Sequence, residues 1–222
     1  MSGPTPLLPL FPLPNVVHFP GTLLPLHIFE PRYRAMVRDL LDLPEPERLV
    51  GMLLSGGPPE PGEGAQTLVL PGTAGRLVGV EPLADGRFDI LLHGEFRFEI
   101  AEEVGGKPYR RARVRPLPEG GPAAESLRDG LLRDLAEVAV ETGPRFPLPP
   151  EEVAELLAHA ALPELVNRLA AELDLPVGRR QAMLTLGLPE RAAAIASTLA
   201  SRRRLLAALR PYRHLADHAG AN

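Results

Sequence analysis

The histidines near the C-terminus have a spacing that could bind a metal. His214 and His218 are four residues apart, which would place both imidazoles on one face of a helix, and Asp217 lies between them. Imidazole and carboxylate groups at such spacing bind zinc in metalloenzymes, but the HExxH motif is absent from this sequence. We therefore expect solvated terminal histidines and no metal cofactor.

Serine and lysine are the residues from which a nucleophilic site could be built. The serines are Ser2, Ser55, Ser126, Ser197 and Ser201. None of them lies in a GxSxG or SxxK motif. Lys107 is the only lysine, and it follows two glycines in a predicted hairpin turn, where an exposed amine stays protonated. Because the chain has no cysteine, thiol nucleophiles, disulfides and cysteine zinc sites are excluded.

Phosphate-binding motifs are missing as well. A nucleotide site needs glycines for close backbone approach, followed in the Walker motif by lysine and a hydroxyl residue. Neither GxxxxGK[ST] nor GxGxxG occurs, and the glycines of residues 55–64 lie among prolines and acidic residues. We expect a flexible loop there and no nucleotide cofactor.

A stripe of arginines is the strongest indication of nucleic-acid binding. Period-two spacing puts Arg111, Arg113 and Arg115 on one strand face, where guanidinium groups could line phosphates. Aromatic residues for base stacking are missing apart from Tyr109. Acidic residues of the preceding strand can pair with these arginines across the sheet; they are Glu95, Glu99, Glu102 and Glu103. A salt-bridged sheet is the favoured interpretation, and an RNA-associated module using this face is the alternative.

The composition of the chain is that of a globular protein. Of its 222 residues 45% are hydrophobic and 23% charged, and the net charge of −4 does not indicate a general polyanion binder. Prolines interrupt the apolar N-terminus, which has no basic start and therefore does not resemble a signal peptide. Since no apolar run is long enough to span a bilayer, we expect no membrane association and a cytoplasmic location.

The first half of the chain has the two-residue period of strands. Asp85-Gly86 between two apolar runs predicts a hairpin, and Gly94 predicts a tight bend between two further strands. The predicted strands are Leu7–Leu13, Val16–Phe19, Arg48–Leu54, Thr73–Val80, Arg87–His93, Glu95–Ile100 and Tyr109–Arg115. Short, proline-rich strands with one solvated face favour a small, bent barrel.

Helical periodicity appears once in this half and then throughout the second half. A helix is predicted after Pro31, ending at Leu43-Pro44. Further helices are predicted at 123–142, 151–160, 162–173, 177–186 and 189–209. The sequence therefore predicts an α+β fold, with a β-rich domain over residues 1–118 and a helical domain over residues 119–222.

Several motifs resemble those of a known family. They include LLPLF (7–11), VVHFPG (16–21) and LPLHIFEPRYR (24–34), followed by DGRFDILLHGEFRFEI (85–100). In this order they resemble the N-terminal, substrate-recognition domain of the Lon protease family, and similarity extends into the helical half through Pro189-Glu190-Arg191. The resemblance implies a small PUA-like pseudo-barrel with one inserted helix, followed by a helical bundle.

The resemblance also implies a function. Lon proteases carry an ATPase module and a protease module with a Ser–Lys dyad, and neither motif occurs in this sequence. We therefore expect a stand-alone, non-catalytic protein-binding module, acting as an adaptor for proteolysis or as a holdase. The implied partners are unfolded client proteins and a separate ATP-dependent protease; nucleic acid is disfavoured, and the oligomeric state is left open.

Four residues of the LPLHIFEPRYR motif are predicted to contact clients. They are His27, Phe29, Arg32 and Tyr33, because aromatic rings, a guanidinium group and a phenol suit recognition surfaces. The competing interpretation is structural and is favoured by the residue types: Phe29 belongs to the core, and Glu30 with Arg32 fixes the helix start.

Overall fold

The computed structural model describes residues 5–56, 67–119 and 125–212. The strands are β1 (Leu7–Leu13), β2 (Leu23–Ile28), β3 (Leu49–Ser55), β4 (Leu68–Pro82), β5 (Phe88–Glu103) and β6 (Arg111–Pro116). The α-helices are α1 (Pro31–Leu41), α2 (Glu125–Thr142), α3 (Pro150–His159), α4 (Leu162–Glu172), α5 (Val177–Thr185) and α6 (Leu188–Leu209). The α+β class predicted from the sequence is confirmed.

The described strands form one sheet in the order β2-β5-β4-β3-β1-β6. Because β5 also pairs with β6, the strands from β5 to β6 close into a ring, and β2 is left outside it. The pairing of β1 with β3 is parallel, whereas the other neighbours are antiparallel. Closure pairs the edges of the ring strands, and it confirms the small barrel that the sequence predicted.

β5 continues through Gly94, so the prediction of two strands separated by a tight bend is wrong. A Cβ atom at Gly94 would lie 2.2 Å from the Phe19 carbonyl oxygen. The Gly94 N–H donates to the Thr22 carbonyl (2.9 Å), and the Gly94 carbonyl accepts from the Gly21 N–H (2.8 Å). The register shifts beside this residue. Gly94 is therefore needed for close backbone approach, not for a turn.

The predicted strand Val16–Phe19 is also wrong, and β2 follows it instead. His18 and Phe19 are buried, but their carbonyls accept from side chains: Thr73 Oγ1 donates to His18 (2.6 Å) and Thr22 Oγ1 to Phe19 (2.8 Å). Hydroxyl groups thus satisfy backbone groups that a sheet would otherwise pair.

The core of the barrel lies between α1 and the inner face of the sheet. Helix α1 buries Tyr33, Met36, Val37 and Leu40. Their packing partners in the same cluster include Phe11, Ile28, Val50, Phe88, Ile90 and Leu92. The inward alternation of Phe88, Ile90 and Leu92 agrees with the sequence prediction.

Arg97 on β5 fixes the C-terminal end of α5. Its side chain, only 3% exposed, donates to the carbonyls of Leu184 (3.0 Å), Leu186 (2.7 Å) and Pro118 (2.7 Å) and to Glu119 Oε1 (2.9 Å). Terminal helix carbonyls have no partners within the helix, and a buried guanidinium group satisfies them here. Helix α5 is thereby held to the sheet.

The chain divides into two compact units. One unit combines the described residues up to Glu119 with Leu175–Gly187, which contains α5. The other combines residues 125–174 with the chain from Leu188 onward, and it contains α2, α3, α4 and α6. The domain boundary between residues 118 and 119 stays a prediction, and the grouping of α5 with the β-rich unit was not foreseen in the sequence.

Candidate functional site

The outward face of β2 is unusually apolar for a solvated sheet surface. Register with β5 places Leu23 opposite His93, Pro25 opposite Leu91 and His27 opposite Asp89. Leu23 is 51% exposed, and Pro25 is exposed as well. We call the exposed residues Leu23, Pro25, His27 and Phe29, together with the half-buried Leu91, the β2 surface.

The outer edge of β2 has no partner strand among the described residues. β2 stands at the end of the strand order and pairs with β5 alone. Pro25 in its middle lacks an N–H group, and proline is confined to sheet edges or bulges for this reason. An unpaired edge is where an extended polypeptide can add as a further strand.

Charged clusters lie at both ends of the apolar strip. At one end His27 Nδ1 is 2.5 Å from Asp89 Oδ1, and Arg87 Nη1 is 3.0 Å from His27 Nε2. Since arginine only donates, Nε2 accepts and the Nδ1 proton is directed at Asp89. At the other end Arg76 Nε donates to Glu95 (2.9 Å), which holds the pKa of that carboxyl below its ordinary value.

Phe29 directly follows β2 and projects into solvent. Its side chain is 60% exposed, and its ring centroid is 6.2 Å from that of His27, with the rings 25° apart. The preceding residue Ile28 is 1% exposed, so the alternation of the strand turns Phe29 outward. The interpretation of Phe29 as a core residue is therefore wrong.

The start of α1 explains the remaining residues of the motif. Glu30 is extended and its carbonyl accepts from Tyr33 N–H (3.0 Å) and Arg34 N–H (2.9 Å), while Pro31 occupies the first helical position. Arg32 donates from Nε to Glu30 (2.9 Å) and lies 4.5 Å above the Tyr33 ring. The Glu30–Arg32 pair at the helix start agrees with the structural interpretation of these two residues.

Tyr33 differs from the other three predicted contact residues. It is 4% exposed and packs on Phe11 with ring centroids 4.2 Å apart, and burial raises its pKa. His27, Phe29 and Arg32 lie on the surface, whereas the buried Tyr33 ring makes a cation–π contact with the Arg32 guanidinium group. Contact of these residues with a client stays a prediction.

The sequence did not single out Leu23 and Leu91 as surface residues. The alternation of Leu24, Leu26 and Ile28 nevertheless indicates a strand there.

The arginine stripe of β6 is largely engaged in ion pairs. Arg115 pairs with Glu99 at 2.6 Å and Arg113 with Glu102 at 3.8 Å, as cross-strand pairing predicted. Arg111 instead donates to the Gly105 carbonyl. These contacts agree with a salt-bridged sheet.

Lys107, the lysine considered as a candidate nucleophile, is held in an ion pair. Lys107 is 41% exposed and pairs with Asp39 at 2.9 Å, and Tyr109 donates to the same carboxylate at 2.5 Å. These two donors, the tyrosine first, lower the pKa of Asp39. His214 and His218 lie outside the described residues, within which no potential metal cluster occurs. None of the described helices is long and apolar enough to cross a membrane.

Comparison with known proteins identifies the family. Residues 7–201 match the family described as the ATP-dependent protease La (LON) substrate-binding domain. "Lon protease 2" of Myxococcus xanthus is 28% identical over 204 residues, which are 90% of this chain and 24% of that protein. The Lon protease of Phenylobacterium zucineum is 33% identical over 198 residues, covering 88% and 24%. This chain thus spans about a quarter of the length of these curated relatives.

Solved structures show the same fold. The N-terminal domain of the Mycobacterium avium complex Lon protease superposes with a TM-score of 0.67 at 14% identity, covering 87% of this chain and 98% of that one. A Lon N-terminal domain protein from Xanthomonas campestris gives a TM-score of 0.61 at 24% identity, with 86% and 97% covered. The barrel, its α1 insertion and the sequence match over residues 7–201 together show that this chain belongs to the Lon substrate-binding domain family.

Proposed function

We propose that this chain is a non-catalytic protein-binding module that holds extended segments of unfolded client proteins on the β2 surface. The observation that carries the proposal is Phe29, a 60% exposed aromatic residue at the end of an open sheet edge. In this role the chain acts in the cytoplasm as a holdase, or as an adaptor that passes clients to a separate ATP-dependent protease.

An extended client fits the contacts that this surface offers. Its backbone adds to the free edge of β2 through main-chain hydrogen bonds, which are independent of the client sequence. Alternate apolar side chains then lie over Leu23 and Leu91 and against Phe29, where an aromatic ring gives a large contact area. The hydrogen bond of His27 with Asp89 and the ion pair of Arg76 with Glu95 form a polar rim around this contact.

Binding to unfolded casein in the absence of ATP tests the proposal. We expect Phe29→Ala to weaken the affinity about tenfold in fluorescence anisotropy, since truncation of an exposed aromatic anchor typically costs about 1–2 kcal/mol. Leu205→Ala on α6 is the matched control, because Leu205 is 59% exposed and belongs to the other compact unit, which does not contain β2. Equal affinities for the wild type and both variants would contradict the proposal.

We expect no peptidase activity from this chain. Purified chain incubated with casein is expected to leave it intact on gel electrophoresis over hours. Cleavage that disappears in a Lys107→Ala variant would overturn this part of the proposal, because Lys107 is the only amine a Ser–Lys dyad could use.

RNA binding remains the alternative to client binding. The arginine stripe is paired with Glu99 and Glu102, and its strand has one aromatic neighbour, Tyr109. A steep salt dependence of RNA affinity that charge reversal at Arg111 and Arg113 abolishes would support this alternative.

A further inference from the structure

The helical unit has an apolar groove between α2 and α3. The groove has a volume of about 340 Å³ and is lined mainly by carbon, and its lining includes the buried residues Phe146, Leu148 and Val153. Leu157 on α3 and Val140 on α2 also line it. Val140 is 83% exposed, more than Phe29, although valine is a residue that ordinarily packs in cores.

The shape and lining of the groove indicate an apolar occupant. Its volume falls in the range of small ligand sites, and it accommodates one large aliphatic or aromatic side chain. An occupant would remove Val140 from water together with the exposed parts of Leu157, which is favourable at about 25 cal/mol for each square ångström.

The charges beside the groove are mostly acidic. Glu151 and Glu155 directly follow the groove residues Pro150 and Ala154, are four residues apart on α3 and are exposed. Neither has an ion-pair partner among the described residues, whereas the adjacent Glu152 pairs with Arg168. The exposed Arg145 in the connection between α2 and α3 opposes them in part. Two unpaired carboxylates against one cation favour basic neighbours in the occupant.

We propose that this α2–α3 groove is a second client-binding site, which takes an apolar side chain of an extended client segment flanked by lysine or arginine. The inference rests on the proposed function and specifies the client chemistry: the β2 surface binds extended apolar chain, and the groove selects segments whose flanks are basic. Such selectivity is a difference in affinity set by charges around a common apolar contact.

Two fluorescent peptides test the groove with the full chain. Both have a Leu-Phe-Leu centre, flanked in one by lysines and in the other by glutamates. We expect the lysine form to bind about fivefold tighter at low ionic strength, and this preference to shrink at high salt. Val140→Lys is expected to weaken the lysine form about tenfold, because it removes apolar area and adds a like charge. Val140→Leu keeps the affinity, and the exposure of this position keeps both variants folded.

Charge-matched variants separate the local effect from net charge. Glu151→Gln with Glu155→Gln is expected to abolish the preference for the lysine form, while Glu164→Gln with Glu190→Gln, which changes the net charge equally at exposed sites on α4 and α6, leaves it unchanged. Equal loss in both double variants would overturn the inference.

Other outcomes are also decisive. Binding that depends on Phe29 but not on Val140 overturns the groove while the proposed function stands. Binding that depends on Val140 and is untouched by Phe29→Ala supports the groove while the β2 proposal fails. A dimer in sedimentation velocity that Val140→Lys dissociates would show that a second copy occupies the groove, and it too would overturn the inference.

Discussion

Replacing Arg97 with methionine removes four contacts, two of which hold the end of α5 and two of which hold the chain after β6. Methionine fills similar space without a charge, but the carbonyls of Leu184, Leu186 and Pro118 then lose their donors. At about 1–1.5 kcal/mol for each lost carbonyl bond, the free energy of unfolding of the β-rich unit falls by about 3–4.5 kcal/mol. Glu119 adds little, because its side chain is 35% exposed and can be hydrated.

Arg115→Met is the matched control for this change. Arg115 also lies in the barrel and also pairs with one glutamate, at 2.6 Å, but its side chain is 69% exposed against 3% for Arg97. We expect the control to lose at most about 0.5 kcal/mol in urea denaturation. Hydrogen exchange should show faster exchange of the α5 amides in Arg97→Met only. Equal losses in the two variants, or unchanged α5 exchange, would refute the role assigned to Arg97.

Two further predictions concern the barrel. Burial lowers the pKa of His18, so below a pH of about 6.5 the unfolded chain binds a proton that the folded chain does not. The free energy of unfolding therefore decreases as the pH is lowered, by at most about 1.4 kcal/mol per pH unit. Urea denaturation between pH 7 and pH 5 should show a smaller dependence of this free energy on pH for His18→Gln. Gly94→Ala should cost about 2–4 kcal/mol in the same assay, since its Cβ would clash with the Phe19 carbonyl, whereas Gly105→Ala, with open space around it, should be nearly neutral.

Local signals in the sequence predicted the elements that depend on a few neighbouring residues. The Asp85-Gly86 hairpin is confirmed, with Gly86 at φ +79°, because a tight turn requires that conformation. The prolines at residues 163 and 189 lie within the first turns of α4 and α6, where the missing N–H costs nothing. The charge pattern likewise predicted the pairing of Arg115 with Glu99.

Features that depend on distant residues were not predictable in this way. The segment around His18 has the composition of a strand, but Thr73, 55 residues away, satisfies its carbonyl. Helix α5 has the periodicity of the helical half, yet Arg97 on β5 joins it to the barrel. The exposure of Phe29 follows from the register of β2. The prolines of that region kept β2 from being predicted as a strand. For His18 and for α5 a tertiary contact outweighs the local pattern.

Hydrogen exchange of the full chain with and without saturating unfolded casein is the decisive measurement of client binding at the β2 surface, because it locates the bound client on the backbone. Client binding at the β2 surface predicts slower exchange of the amides of residues 23–29, apart from Pro25, when casein is present, without ATP and without cleavage of casein, and loss of this protection in Phe29→Ala. Unchanged exchange across residues 23–29 in a sample that demonstrably binds casein would contradict it.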